Sequence, residues 1–286
     1  MVRVAREGLT LRMSQILVTG GTGKTGRRVV QQLTAAGVPV RVGSRSGTPP
    51  FDWTAPNTWD AALDGVASVF VVPHETEPTT RPFIRRCLET GVRRVVLLSG
   101  RGVDVPGYAD LESPMAHVHV DGEAAVRASG LEWTIVRPTW FAQNFTEGFF
   151  RDAVLAGEIR LPAGKGAVPY VDAEDIAAVA VAALTEDTHH GQTYELSGPH
   201  ALTFDEVTAE ISRATGRTVR YVPLSEEEFI AELVTEGWSP AEASDYAAVI
   251  SPIRHDLETP ISDGVHRALG RPPLDFTTFT RTAWAT

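Results

Sequence analysis

"ILVTGGTGKTG", residues 16–26, joins an apolar run to a cluster of glycines. It contains GKT, the close of a mononucleotide P-loop, but Gly21, Gly23 and Gly26 also have the G-x-G-x-x-G spacing of a dinucleotide fingerprint. The P-loop reading fails on one residue. A G-x-x-x-x-G-K-[ST] loop ending at Thr25 needs its first glycine at position 18, and Val18 stands there, inside the apolar run. The dinucleotide reading needs glycines at the strand end, near the phosphates and in the first helical turn. Gly20, Gly21, Gly23 and Gly26 meet that need, between an apparent strand and an apparent helix. A pyrophosphate is then expected on the N-terminus of that helix.

The pattern continues outward from this loop. Val29, Val30 and Leu33 share one helical face, and Gly37 stops the helix. "VPVRVGSR", "SVFVVP", "VRRVVLLSG" and "LEWTIVRP" read as further strands with helical segments between them. These strands are almost continuously apolar, as in a parallel sheet covered on both faces. The expected fold is α/β: a Rossmann-type doubly wound parallel sheet with a small C-terminal α/β substrate lobe. Residues 1–13 read as a flexible extension and 14–150 as the dinucleotide-binding core. Residues 151–286 read mainly as the lobe, with 158–199 partly returning to the core.

Composition narrows the function. The chain has 286 residues, 43% hydrophobic and 22% charged, enough for a sizeable core. A net charge of −10 and the lack of a Lys/Arg-rich block argue against a nucleic-acid partner. A single cysteine, Cys87, excludes an intrachain disulfide and fits a reducing compartment. No apolar run is long enough to span a bilayer, so no membrane partner and a cytoplasmic location are expected. No metal is expected, and the chain is read as a monomer or homodimer.

The end of the second strand bears on cofactor choice. An NAD site usually carries Asp or Glu there, bonding the ribose 2′-hydroxyl. Here "VGSRSG" offers Ser44 and Arg45 and no carboxylate. An arginine there can pair with a 2′-phosphate, so NADP(H) is preferred, with NAD(H) possible.

With "VVLLSG", "GEAAVRASGLEWTIVRPTWFAQNF" and "PYVDAEDIAAVA" added to the glycine loop, the chain resembles the NmrA-like, atypical short-chain dehydrogenase/reductases. The loop with GKT is similar in particular to the ergot-alkaloid pathway reductases of that group. The resemblance runs from about Gln15 and is strongest up to Val181. It implies that Gly20, Thr22, Gly23, Lys24, Thr25 and Gly26 line the phosphates and that Arg45 faces the adenosine end. It implies Asp52 and Trp53 beside the adenine, after a third strand. Val72, Pro73 and His74 then follow a fourth strand near the nicotinamide ribose, and Ser99 and Gly100 end a fifth. Pro138, Thr139, Trp140 and Phe141 are implied to border the nicotinamide. Trp140, Phe141, Asn144 and Phe145 are expected to form a pocket for a flat, partly apolar small molecule.

One departure matters for the chemistry. Typical short-chain reductases carry a Tyr-x-x-x-Lys pair whose lysine lowers the tyrosine pKa for proton donation. Registered on Glu123 and Arg137, those positions are Met115 and His119. Some relatives carry a histidine where His119 stands, and an imidazole titrates near neutrality, so His119 is the candidate catalytic group. Hydride transfer to an activated acceptor of the iminium, quinone or enone type needs less acid catalysis than ketone reduction. An NAD(P)H-dependent reductase of such acceptors is the expected function. The alternative is a non-catalytic NADP(H)-binding redox sensor that acts through a protein partner.

Overall fold

A computed structural model describes residues 15–74, 76–105, 108 and 114–284, with no account of the side chains of 114–116. The 1–13 extension lies outside these residues, as does the Met115 side chain. Six parallel strands form the central sheet in the order β2-β1-β3-β4-β5-β8. They are β1 (Gln15–Thr19), β2 (Val40–Gly43), β3 (Val66–Val71), β4 (Arg94–Leu98), β5 (Glu132–Pro138) and β8 (Gln192–Leu196). The intervening helices are α1 (Lys24–Ala35), α2 (Trp59–Leu63), α3 (Thr80–Glu89), α4 (Pro114–Arg127) and α7 (Ala173–Thr185). The architecture is the Rossmann-like one expected.

Alternation along the strands explains why both faces are covered. Ile16, Val18, Phe70, Val96 and Val136 point to one side, against Val29 and Leu33 of α1 and Ile176, Val179 and Ala183 of α7. Leu17, Val69, Val71, Val95, Leu97 and Ile135 point to the other, against Leu63, Phe83, Ile84, Cys87 and Val126. Both sets are buried, so each strand reads as a continuous apolar run. Helix α1 ends at Gly37, whose φ of +71° favours glycine.

The implied third strand before Asp52 is absent. Residues 44–58 form turns around a cis Thr48–Pro49 bond and a 3₁₀ turn at Pro56–Thr58. A segment holding Pro49, Pro50 and Pro56 lacks the amide donors that an edge strand needs. The strand leading to Val72 is therefore the third, and the one leading to Ser99 the fourth. The order of the sheet reverses between β1 and β3, which opens a crevice beyond their C-terminal ends.

The lobe follows β5. It comprises α5 (Asn144–Glu147), α6 (Arg151–Ala156), β6 (Glu158–Leu161), β7 (Ala167–Val168), β9 (Leu202–Thr203), α8 (Phe204–Thr215), β10 (Arg220–Pro223), α9 (Glu226–Thr235), α10 (Pro240–Arg254) and α12 (Phe276–Ala283). Strand β6 pairs with β10, and β7 with β9. Capping boxes at Thr203/Glu206, Ser225/Glu228 and Ser239/Glu242 start α8, α9 and α10. The lobe has its own core around Phe145, Phe150, Tyr170, Phe204 and Ile250. Between β6 and β10 the chain re-enters the sheet through α7 and β8. After α10, α11 (Gly264–Leu269) returns again, placing Val265 in the sheet core.

Candidate functional site: the crevice at the strand ends

The glycine loop is shaped by close approach. Thr19 is fully buried, donates through Oγ1 to the carbonyl of Phe70 (3.2 Å) and accepts from the amide of Val72 (2.8 Å). This stitches the ends of β1 and β3 together. A Cβ on Gly21 would lie 2.8 Å from Val42 Cγ1, and one on Gly26 would lie 2.2 Å from the carbonyl oxygen of Gly20. Only glycine lets α1 start this near the strand. Thr22 and Gly23 are exposed at the tip, whereas Thr25 and Gly26 are buried beneath it. Gly23 is the N-cap of α1, with no capping side chain and no acidic residue in the first turn. The first amides of α1 thus have no capping side chain, as a pyrophosphate site requires. The cradle fits a dinucleotide, by the space that only absent Cβ atoms leave.

Lys24 is placed differently from the rest of the loop. Its ammonium donates to Asn144 Oδ1 (2.6 Å) and lies 5.5 Å from the centre of the Phe141 ring. Burial lowers its pKa, and Arg28 and Arg27 add to that against the opposing charge of Glu147. Arg27 and Arg28 both pair with Glu147, and Arg28 also bonds Glu174 at 2.9 Å. The first turn of α1 is thereby tied to α5 of the lobe, and Lys24 and Asn144 form the wall between them.

On the adenosine side, the Ser44 carbonyl accepts from the amides of Gly47 (3.0 Å) and Phe51 (2.9 Å), closing a turn that leaves Arg45 exposed. Arg45 makes no side-chain hydrogen bond among the described residues. Asp52 is held below the usual carboxylate range by the amide and hydroxyl of Thr54, with the charge of Arg45 nearby adding to this. Trp53 is half-buried and stands edge-on to Phe51 and Phe83, with ring centres 5.0 Å apart in each case. The structure brings Ser44, Arg45, Asp52 and His74 to one side of the loop. Pro73 follows Val72 from β3, and His74 Nδ1 accepts from the amides of Thr76 (3.3 Å) and Glu77 (3.1 Å).

The ends of β4 and β5 form the opposite side. Ser99 is buried and donates to Glu123 Oε1 at 2.6 Å. Glu123, 2% exposed, also accepts from Arg137 Nε (2.7 Å), Arg137 Nη2 (2.6 Å) and Arg127 Nη1 (2.7 Å). Gly100 is half-buried after Ser99. His119, one turn before Glu123 on α4, is half-buried, and its Nδ1 has no partner among the described residues. Burial lowers its pKa, opposed by the charge of Glu123, so the ring is neutral near pH 7.

Beyond the buried Pro138, Thr139 Oγ1 donates to Glu258 Oε2 (2.8 Å) and Trp140 Nε1 to Glu258 Oε1 (3.0 Å). Gln143 bridges to the start of α7, donating to Asp172 Oδ1 (2.7 Å) and accepting from the amide of Ala173 (2.8 Å). The backbone of Trp140–Ala142 is stitched to Val171. This is the physical content of the paired "TWFAQNF" and "VDAEDIA" motifs: one fixes the other.

Phe145 stands apart from the expected pocket. It is 1% exposed and packs on Phe150, Tyr170, Phe204 and Phe276 in the lobe core, so it walls no cleft. Trp140 and Phe141 are half-buried at the crevice, and Asn144 reaches it through Lys24. Glu258, Arg101, Tyr108 and Gln143 were not singled out from sequence. Gln143 lies within a motif, but nothing near Glu258 marks it.

Residues 50–187 match the model of an NAD(P)H-binding family. The chain is 35% identical to the NAD(P)H azoreductase of Xenophilus azovorans, over 93% of this chain and 96% of that one. It is 33% identical to the agroclavine dehydrogenase of Claviceps fusiformis, over 92% and 95%. The crystal structure of Citrobacter sp. triphenylmethane reductase complexed with NADP(H) superposes with a TM-score of 0.75 at 25% identity, covering 94% of this chain and 99% of that one.

Proposed function

This chain belongs to the NmrA-like, atypical short-chain dehydrogenase/reductases, among their NAD(P)H-dependent reductases, and we propose that it passes a hydride from NADPH to a small activated acceptor of the iminium, quinone or enone type. In this reading the uncapped amides at the start of α1 hold the pyrophosphate, and Arg45 pairs with the 2′-phosphate. The bound nicotinamide supplies the hydride. The wall formed by Thr139, Trp140 and Phe141 orients the acceptor and keeps water away.

One observation carries the choice of acceptor. The Ser99 hydroxyl at the end of β4 is committed to Glu123, and the Tyr108 hydroxyl donates to Glu258. His119, kept neutral by burial, is a weak acid at pH 7. A site whose Ser99 and Tyr108 hydroxyls are already bonded to buried carboxylates suits an acceptor whose carbon is already electron-poor. The registration of Met115 and His119 on the usual Tyr/Lys positions supports the same reading.

The test is oxidation of NADPH, followed by its absorbance, with 1,4-naphthoquinone, an N-alkyl iminium salt and an enone. At least one should be consumed, and faster with NADPH than with NADH. Tight NADPH binding with none consumed would favour the redox-sensor function instead.

A further inference from the structure

Residues 255–263 run from the end of α10 back across the strand ends toward α11. Asp256 turns the chain there with a φ of +58°. Several bonds anchor this strap without using the Glu258 side chain. Arg101 Nη1 donates to the carbonyls of Glu258 (3.1 Å) and Pro260 (2.8 Å). The amide of Ser262 donates to Ser197 Oγ (2.9 Å), and its hydroxyl donates to the carbonyl of Glu195 (2.7 Å).

The Glu258 carboxylate is 3% exposed and gathers donors from two other segments. Tyr108, from the loop after β4, and Trp140, after β5, both donate to Oε1, while Thr139 donates to Oε2. The Arg101 guanidinium lies 3.9 Å from Oε2. The polar edges of two aromatic side chains therefore converge on one oxygen. Trp140 is held on its other side by stacking on Phe150, with centroids 5.8 Å apart and planes 14° from parallel. Two buried polar atoms beside this cluster lack partners among the described residues: Nε of Arg101 and the hydroxyl of Tyr170. Burial pushes the Tyr170 phenol pKa up, and the nearby charge of Glu258 adds to it. A buried polar group without a partner is costly, so the cluster retains unused hydrogen-bonding capacity.

We propose that Glu258 is a positioning residue of the acceptor pocket, clipping Tyr108 and Trp140 into place as aromatic walls for a flat ring. It acts through those side chains and does not touch the cofactor phosphates, which lie across the crevice at the glycine loop. Its removal should therefore affect the acceptor and spare the nucleotide. The proposal rests on the reductase reading for where the acceptor sits, and it has a readout independent of turnover.

The experiment uses the full chain with Glu258→Gln and Glu258→Ala, and Trp140→Phe to assign the Trp140 indole resonance. In E258A the KM for 1,4-naphthoquinone should rise about tenfold or more, while the NADPH Kd stays within about threefold, the difference expected when a wall loses its fixed geometry. E258Q keeps one acceptor oxygen and should fall between wild type and E258A. The Trp140 indole N–H resonance should move in both variants, since its bond to a carboxylate is weakened or lost. Tyr108→Ala should add little on top of E258A, because the two act as a unit. An unmoved Trp140 resonance, or equal loss of NADPH and naphthoquinone affinity, would overturn the proposal. If wild type consumes none of the quinone, iminium and enone acceptors with NADPH, the reductase reading fails, and the Trp140 resonance alone decides whether Glu258 positions that wall; if only the iminium or the enone is consumed, the KM comparison is made with that acceptor.

Discussion

Gly26→Ala tests the glycine cradle most directly. The added methyl would sit 2.2 Å from the carbonyl oxygen of Gly20 and 2.9 Å from Gly21 Cα, whereas ordinary contact begins at 3.4 Å. Something must move by about an ångström. Gly20 cannot retreat freely, because its carbonyl oxygen accepts from the amide of Gly23 at 2.9 Å. Helix α1 cannot retreat freely either, because Val29 and Leu33 are fully buried against the sheet. Overpacking of this kind costs about 1–3 kcal/mol. The strain falls on the amides expected to hold the pyrophosphate, so NADPH should bind at least ~10-fold more weakly, equivalent to about 1.4 kcal/mol. Gly37→Ala is the control. It lies at the other end of the same helix, with a φ of +71° and nothing within 4 Å of its Cβ position. It should cost about 1–2 kcal/mol of stability through its left-handed backbone and leave NADPH affinity unchanged. Isothermal titration with NADPH, beside thermal melts of both variants, separates the cases. If Gly26→Ala bound NADPH within twofold of wild type, the placement of the pyrophosphate would be wrong.

Two further outcomes follow from side chains around the crevice. Arg45→Ala should weaken NADPH by about 10-fold or more, the loss of a charge-assisted pair, and change NADH by less than about threefold; equal losses in a titration would remove the 2′-phosphate role. Glu123→Ala should cost about 3–5 kcal/mol, because it leaves the buried Arg137 facing only the half-exposed Asp104 and the distant Glu195. Burial pushes the Glu123 carboxyl up, but hydrogen bonds from Arg137 and Ser99 outweigh it and hold its pKa below the usual value. That contribution to stability is present above about pH 4.3 and is lost as pH falls through the lower folded value. Urea melts should show a shallower acid dependence in Glu123→Gln than in wild type, and a loss below about 1 kcal/mol in Glu123→Ala would refute the account.

The parallel sheet was legible because burial on two faces leaves a continuous apolar signature, and the glycine loop because close packing admits only glycine there. The third strand was over-read: 44–58 inherits a place from related chains, but its prolines cannot pair along a sheet edge. Phe145 was misplaced because an aromatic-rich run does not say which rings face inward; that is set by Tyr170, Phe204 and Phe276, far along the chain. Lys24 was assigned to the phosphates on its motif position, yet the nearest acceptor of its ammonium is Asn144, 120 residues away. Glu258 lies 119 residues from Thr139 and belongs to no periodic pattern. Partners brought together by the return of the lobe leave no local trace.

The missed contacts bear most on the chemistry. Ser99, Tyr108 and Thr139 follow the ends of β4 and β5 and carry hydroxyls toward the crevice. Each donates to a carboxylate buried to 3% exposure or less, Ser99 to Glu123 and the other two to Glu258. A hydroxyl that donates to a buried carboxylate can give its proton to a substrate only by leaving that acceptor, which then loses a partner in a low-dielectric site. Burial and the charge of Glu258 also push the Tyr108 pKa up, the opposite of what a lysine does for the tyrosine of the usual pair. These hydroxyls fix geometry and do not readily deliver protons. A ketone would leave an alkoxide that none of these three readily protonates. An iminium becomes a neutral amine on receiving hydride, and a quinone yields a delocalised anion. The two glutamates thus argue for activated acceptors more directly than the departure at Met115 and His119, because they account for three hydroxyls that are present.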